Sequence, residues 1–351
     1  MAFEVTVTVA DRGVDLTVGV GDREVVAILG PNGAGKSTVL AVIAGLLRPD
    51  TGHATLDDRV LFDVGRADAA QVWVPAHARG VALLAQEPLL FPHLTALDNV
   101  AFGPRSVGHT RSESRTIAHR WLAEVDATEY ADRKPAQLSG GQAQRIAVAR
   151  ALAADPHLLL LDEPMAALDV AVAPALRQML RRVLADRPVI IVTHDVLDAL
   201  LLADRVIVVE DGRVVEDGPT AQVLARPRSG FAARIAGLNM VRGTLEGHGV
   251  RSADGLLIEG IAEEPVEQGE GAVAVFRPSA VGVYKQPPGG SPRNVMEVTI
   301  TELEPHGDQI RVRTTDLSAD VTAAAVADLD LAPHTPAVFA VKASEVAIYR
   351  A

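Results

Sequence analysis

Gly30-Pro31-Asn32-Gly33-Ala34-Gly35-Lys36-Ser37 is the stretch from which the rest of the chain is read. Before it, Val25-Val26-Ala27-Ile28-Leu29 is an apolar run of strand length. After it, Ser37 to Leu47 predicts a helix that ends near Arg48-Pro49. A strand, a glycine-rich loop and a helix in that order make a cradle for phosphate. The glycines let backbone N–H groups turn inward, and the helix N-terminus adds its partial positive charge. Lys36 offers a point charge to β- and γ-phosphates, and the Ser37 hydroxyl is placed to ligate Mg²⁺. Residues Gly30 to Ser37, with Thr38 behind them, are therefore candidates for nucleotide contact.

Further along, Leu158-Leu159-Leu160-Leu161 lies between Pro156 and Pro164, too short for a helix, and predicts a central parallel strand buried on both faces. Asp162 then falls at the carboxyl end of that strand, where open α/β sheets place ligand chemistry. An acid there can hold a metal, and Glu163 beside it can accept a proton from an attacking water. Val189-Ile190-Ile191-Val192 predicts a second such strand, ending at Thr193-His194-Asp195, so His194 is expected at the same sheet edge with a contact to the γ-phosphate. Gln86 follows Val81-Ala82-Leu83-Leu84-Ala85 and can reach both Mg²⁺ and the water. Leu138-Ser139-Gly140-Gly141-Gln142 precedes a predicted helix, Gln142 to Ala154. Alone, Ser139 reads as an N-cap; beside a phosphate loop, the same residues offer a second helix N-terminus to an anion.

With 351 residues the chain has room for two or three domains. Its net charge of −12 gives no overall attraction to nucleic acid or anionic lipid. Lacking cysteine, it can form no disulfide and no thiolate metal site, which fits a reducing compartment. Phe3 to Val9 alternates like a half-buried strand and lacks the features of a signal peptide. No window approaches 18 uninterrupted apolar residues; Val196 to Val209 is broken by Asp198, Asp204 and Arg205. Any pore must come from another polypeptide.

Past Arg226-Pro227-Arg228-Ser229-Gly230 the helical periodicity gives way to short alternating strands. An internal repeat runs through this part. Ala272 to Lys285 aligns with Ala337 to Arg350, 65 positions on, with Ala272, Val273, Ser279, Val281 and Tyr284 recurring identically. Upstream, Asn239 and Thr244 match Asn294 and Thr299. Two small barrel-like lobes, about 238–286 and 291–351, are the expectation.

The ordered segments at 30–37, Gln86, 138–142, 158–163 and His194 resemble those of ATP-binding cassette (ABC) ATPases. The resemblance implies a fold: an α/β P-loop NTPase with a RecA-like core and a helical subdomain at about 87–155, over residues 1–235, then an all-β, OB-like TOBE domain over 236–351. It implies ATP and Mg²⁺ as cofactors, with Ser37, Gln86 and Asp162 at the metal and Glu163, His194 and Gln86 catalytic. It also implies a head-to-tail dimer in which Ser139, Gly140, Gly141 and Gln142 of one copy cap the ATP of the other, with Asp169 as the D-loop carboxylate. The second lobe resembles molybdate-binding (Mop) domains, so Ser291, Arg293, Asn294, Lys342 and Ser344 are a candidate site for molybdate or tungstate; a purely structural lobe, or one that binds a regulator protein, is the other reading. The partners implied are a membrane permease docked near Phe91-Pro92-His93-Leu94 and, through it, a substrate-binding protein, with this chain peripheral on the cytoplasmic face. Phe91 and Leu94 read equally as core residues.

Uptake of molybdate is the leading expectation. Sulfate, polyamine or sugar import and a soluble ABC ATPase or oxyanion sensor are the alternatives. Long insertions, zinc cysteines and a tandem cassette, marks of the soluble nucleic-acid-handling relatives, do not occur. Two departures stand out. Between Phe3 and Phe62 there is no aromatic to stack on adenine; the segment Ala10-Asp11-Arg12-Gly13-Val14 is the expected substitute, with stacking by the Arg12 guanidinium as one way it could serve, and weak base selectivity is expected. Ala166 stands where the D-loop commonly has Ser.

Overall fold

The computed structural model describes residues 2–351 apart from 66–70, 167 and 170. The chain divides into two compact units, Met1–Val223 and Leu224–Ala351.

The first unit is built on a six-stranded sheet. Its strands are β3 (Val25–Leu29), β7 (Val81–Leu84), β8 (Leu158–Asp162), β9 (Val189–Val192), β10 (Arg205–Glu210) and β11 (Arg213–Pro219), in the order β11-β10-β3-β9-β8-β7. All neighbours are parallel except β10 and β11. The four leucines of β8 show why a short uniform apolar run suits this place. Leu158 and Leu160 point into one core and Leu159 and Leu161 into another, all nearly sealed from solvent. The first core is closed by α1 (Lys36–Ala44) and by an antiparallel sheet ordered β2-β1-β4-β5-β6, with β1 Phe3–Val9, β2 Val14–Val20, β4 Thr51–Leu56, β5 Arg59–Val64 and β6 Val72–Trp73. The second is closed by α2 (Ala96–Ser106), α3 (Arg111–Glu124), α4 (Gly140–Ala153), α5 (Ala173–Leu184) and α6 (Val196–Leu202). The three strands expected around the site, at 25–29, 158–161 and 189–192, are present. The phosphate-loop helix is shorter than expected, because Gly45 at φ +81° takes the left-handed cap after Ala44.

Arg79 joins the two layers of that first core. It is 1% exposed, and its guanidinium donates to the carbonyls of Val42 and Ile43 at the end of α1 and to that of Val74. It also lies 4.4 Å over the Trp73 ring. Burial pushes its pKa down to about 10, which leaves it charged at neutral pH.

The second unit opens with α7 (Thr220–Ala225), across which the division falls, and α8 (Gly230–Ile235). It continues as β12 (Asn239–Glu246), β13 (Gly249–Ser252), β14 (Leu257–Glu259), β15 (Ile261–Ala262), β16 (Gly271–Phe276), β17 (Gly282–Tyr284), β18 (Asn294–Thr299), β19 (Glu302–His306), β20 (Gln309–Arg313), β21 (Ser318–Val321), β22 (Pro336–Val341) and β23 (Ala347–Arg350). The sequence repeat maps onto equivalent strands: β16 with β22, and β17 with β23. The lobes are not independent, however. β17, from the first half, pairs with β22 of the second; β23, from the second, pairs with β16 of the first. The matched asparagines make the same exchange. Asn239 bonds both ways to the backbone of Ser318, and Asn294 bonds both ways to that of Glu259. Apolar residues from both halves form one core around Phe276 and Phe339.

Candidate nucleotide site

The loop after β3 closes on itself before α1 begins. Ala34 N–H donates to the Pro31 carbonyl, and the buried Lys36 ammonium donates to the carbonyls of Gly30 (2.7 Å) and Pro31 (2.8 Å). Glycine is required at two places for different reasons. A Cβ on Gly30 would lie 2.1 Å from the Val209 carbonyl oxygen, so the loop could not rest on β10. Gly35, at φ +97°, takes a left-handed conformation just ahead of α1, and a Cβ there would meet Val14 at 2.5 Å. Burial lowers the Lys36 pKa, while Glu163 and Asp162 oppose that shift. An open cavity over the loop is lined by Arg12, Asn32, Gly33, Gly35, Lys36, Ser37, Thr38 and Glu163.

The acidic pair stands across from Lys36 at the end of β8. Burial raises the pKa of Asp162, and the neighbouring Glu163 charge raises it further, against the Ser37 hydroxyl and Lys36, which favour the carboxylate. A cation would relieve that strain. The donors suit Mg²⁺, which takes one or two carboxylates and completes its shell with water and phosphate. No cluster of three acidic or histidine side chains that would form a protein-only metal cage occurs among the described residues. Glu163 sits at φ +45°, a left-handed conformation rare outside glycine, and its N–H is held by the Val192 carbonyl of β9. Its carboxylate meets two other sequence candidates: Gln86 Nε2 at 3.4 Å and His194 Nδ1 at 3.3 Å. Lys36, Ser37, Gln86, Asp162, Glu163 and His194 are thus gathered at one sheet edge.

Arg12 belongs to the same group. Its Nη1 donates to Thr38 Oγ1 at 3.2 Å, which sets the guanidinium at the cavity mouth.

The segment at 138–142 lies elsewhere. Ser139 caps α4 in a reciprocal capping box with Gln142, exposed to solvent, and neither they nor Gly140 and Gly141 line the Lys36 cavity. The helix starts at Gly140, two residues before the expected Gln142. Two side chains tie α4 back to the site's other loops. Buried Gln144 donates to the Pro164 carbonyl, and Arg150 donates to the carbonyls of Pro88 and Leu89, just after Gln86. Asp169 accepts from the N–H groups of Val172 and Ala173 through its carbonyl, which leads into α5.

Phe91 packs against Phe102 (4.7 Å between centroids) and under Arg150, with its backbone held by Asn99. It is half-buried, while Leu89 and Phe102 beside it are exposed.

In the second unit, the β18–β22 register sets Asn294 opposite Val341. Residues 291–293 lead into β18 at that pair, and 342–344 lead out of β22. Ser291, Arg293, Lys342 and Ser344 are exposed there. Asn294 differs from the expectation of an anion ligand: it is 2% exposed and its side chain is spent on the Glu259 backbone.

Sequence reading missed the side chains behind His194. Asp198 counted only as an interruption in an apolar run, yet it is buried and bonded to both Arg177 and Thr193. The signal was there, since a carboxylate inside such a run needs a partner.

Comparison with known proteins agrees with this geometry. Residues 13–166 match the ABC transporter family and residues 290–348 the TOBE domain. The chain is 50% identical, over 99% of its length and 97% of the relative's, to the molybdenum import ATP-binding protein ModC of Mycobacterium tuberculosis. It is 37% identical over 90% of its length, and 88% of the relative's, to a sulfate/thiosulfate import ATP-binding protein, CysA 1, of Chromobacterium violaceum. Among solved structures, an ATP-binding cassette captured as a dimer in a post-hydrolysis state with ADP and Pi aligns at a TM-score of 0.52 and 29% identity, covering 62% of this chain and 98% of its own. The chain belongs to the ABC transporter family of ATP-binding proteins, with a cassette followed by a TOBE domain.

Proposed function

We propose that this protein is the ATP-hydrolysing subunit of an importer for molybdenum, taken up as molybdate. One observation carries the choice of cargo: the 50% identity to the molybdenum relative runs through the TOBE-containing unit as well as the cassette. The iron-import relative FbpC of Streptomyces coelicolor, at 43% identity, covers only 65% of the chain. Complementation tests the proposal. A strain lacking its molybdate importer ATPase should regain growth at trace molybdate when given this chain, and rescue of sulfate uptake in its place would redirect it.

In this reading the loop from Gly30 to Ser37 binds the phosphates, Lys36 leaves the Gly30 and Pro31 carbonyls to meet β- and γ-oxygens, and Thr38 holds Arg12 over the nucleotide. Ser37, Asp162 and Gln86 would hold Mg²⁺, which would supply neutralisation of phosphate charge. Glu163 accepts the proton of the attacking water, Gln86 orients that water, and His194 contacts the γ-phosphate. Ser139, Gly140, Gly141 and Gln142 stand apart from their own chain's cavity, which supports a second copy, docked head to tail, supplying them across the interface with Asp169 alongside.

Among the described residues no helix is long and apolar enough to cross a membrane, so the pathway for the anion falls to a permease. The exposed Leu89 and Phe102 around Phe91 supply an apolar surface for it on the cytoplasmic side, with a substrate-binding protein beyond. Oxyanion binding by Ser291, Arg293, Lys342 and Ser344 is the regulatory part of the proposal. Titration of the full chain with molybdate, tungstate and sulfate should give heat with the first two, and silence with all three removes that part.

A further inference from the structure

We propose that Arg177, outside the phosphate site, is the positioning residue for His194 and fixes its loop to α5. The proposal rests on the reading of His194 as a group acting at the γ-phosphate.

His194 is itself weakly held. Its side chain is 62% exposed, and its Nδ1 approaches Glu163 at 3.3 Å. Its neighbours are held tightly. Thr193 Oγ1 donates to Asp198 Oδ2 at 2.9 Å and accepts from the N–H of Asp195 at 3.1 Å. Arg177 closes the arrangement from α5: Nε donates to Asp198 Oδ1 and Nη2 to Asp195 Oδ2, both at 2.5 Å. One planar guanidinium therefore spans two carboxylates that lie one and four residues past His194. Such a fork fixes direction as well as distance.

Stability alone is a poor reason to keep this network. Asp198 is 2% exposed and the Arg177 side chain 11%, and desolvating such a group of charges cancels most of its attraction. Burial also raises the Asp198 pKa, against the bonds from Arg177 and Thr193. What the network provides is geometry. α6 has seven residues and leaves Leu197, Leu200 and Leu201 exposed, so packing on one side is a limited anchor for the loop ahead of it. α5 is longer, buries Leu176, Met179, Leu180, Val183 and Leu184, and takes its first bonds from the Asp169 carbonyl. Through Arg177 the loop bearing His194 is referred to the same rigid helix that follows Asp169.

The test is a double-mutant cycle on the full chain, reading ATP turnover, ATP affinity and thermal melting. Arg177→Gln should slow turnover roughly tenfold to hundredfold, the effect of misplacing a reacting group by about 1 Å, with ATP affinity unchanged. Arg177→Lys should recover part of the loss. In a His194→Ala background, Arg177→Gln should cost almost nothing more, because the two act as one unit. Parental turnover in Arg177→Gln, or an equal fold-loss in both backgrounds, overturns the proposal. Should melting show that Arg177→Gln is unfolded, Asp195→Asn breaks one arm at a more exposed position while still capping α6. A turnover loss there that disappears in the His194→Ala background upholds the proposal, and parental turnover overturns it. If His194→Ala alone turns over normally, the reading of His194 fails and takes the Arg177 role with it; a slow His194→Ala with additive Arg177 effects removes only the latter.

Discussion

Glu163 combines three properties that seldom meet in one residue. It directly follows a buried strand, it holds a left-handed backbone conformation, and its carboxylate faces both Gln86 and His194. Glu163→Gln preserves shape and hydrogen bonding but removes the proton acceptor. Turnover should fall by about 10²–10⁴ while ATP still binds, which stopped-flow hydrolysis and equilibrium binding would separate; wild-type turnover would exclude Glu163 as the base. The proposed stacking of Arg12 bears on a different property. A guanidinium stacked on a purine attracts any π-face and reads few edge atoms. The chain should therefore prefer ATP over GTP by less than about tenfold, or roughly 1.4 kcal/mol, in competition binding. Arg12→Ala should weaken both nucleotides together, and a loss confined to ATP would refute the stacking role.

At the scale of elements, α4 is the piece whose placement matters most. Its first turn presents Ser139 and Gly141, and its body bonds the turn after Glu163 and the segment after Gln86. A Cβ on Gly141 would lie 2.7 Å from Val172 Cγ1, so Gly141→Ala must shift the Val172 side chain or the elements that bring it there. We expect near-normal ATP affinity with strongly reduced turnover, and normal turnover would show that this contact yields freely. In the other unit, Asn239→Ala or Asn294→Ala leaves backbone groups of Ser318 or Glu259 without partners. Each should lower stability by about 1–3 kcal/mol, visible as a lower melting temperature. These cases also show what the sequence made legible. The strands β3, β8 and β9 and the loop at 30–37 were readable, because apolar runs and glycines report local geometry directly. Arg150 and Arg177, with the Asp198 that Arg177 holds, were not, since their meaning depends on partners between 18 and 62 residues away. Asn294 was misread for the same reason: its match with Asn239 was visible, but the backbone that each clamps belongs to the other half.

For the whole molecule, the separation of residues 138–142 from the cavity at Lys36 makes association the deciding property. Glu163→Gln with ATP and Mg²⁺ should shift the full chain from monomer to dimer in light scattering, and the dimer should dissolve on removal of nucleotide. A variant that stays monomeric at saturating ATP would argue against the sandwich. The C-terminal unit raises another question, that of the order in which the polypeptide matures. β16 pairs with β12 on one side and with β23 on the other, so during synthesis its second edge waits for the translation of residues 277–350. At roughly 5–20 residues per second that is on the order of ten seconds. The waiting edge, Ala272-Val273-Ala274-Val275-Phe276, is uncharged and rich in strand-forming residues, a template for other nascent chains. A ribosome that stalls before Ala347 would release a chain with a finished cassette and an adhesive tail, so the cell's exposure to aggregation from this protein is set by how quickly its last short strand is made.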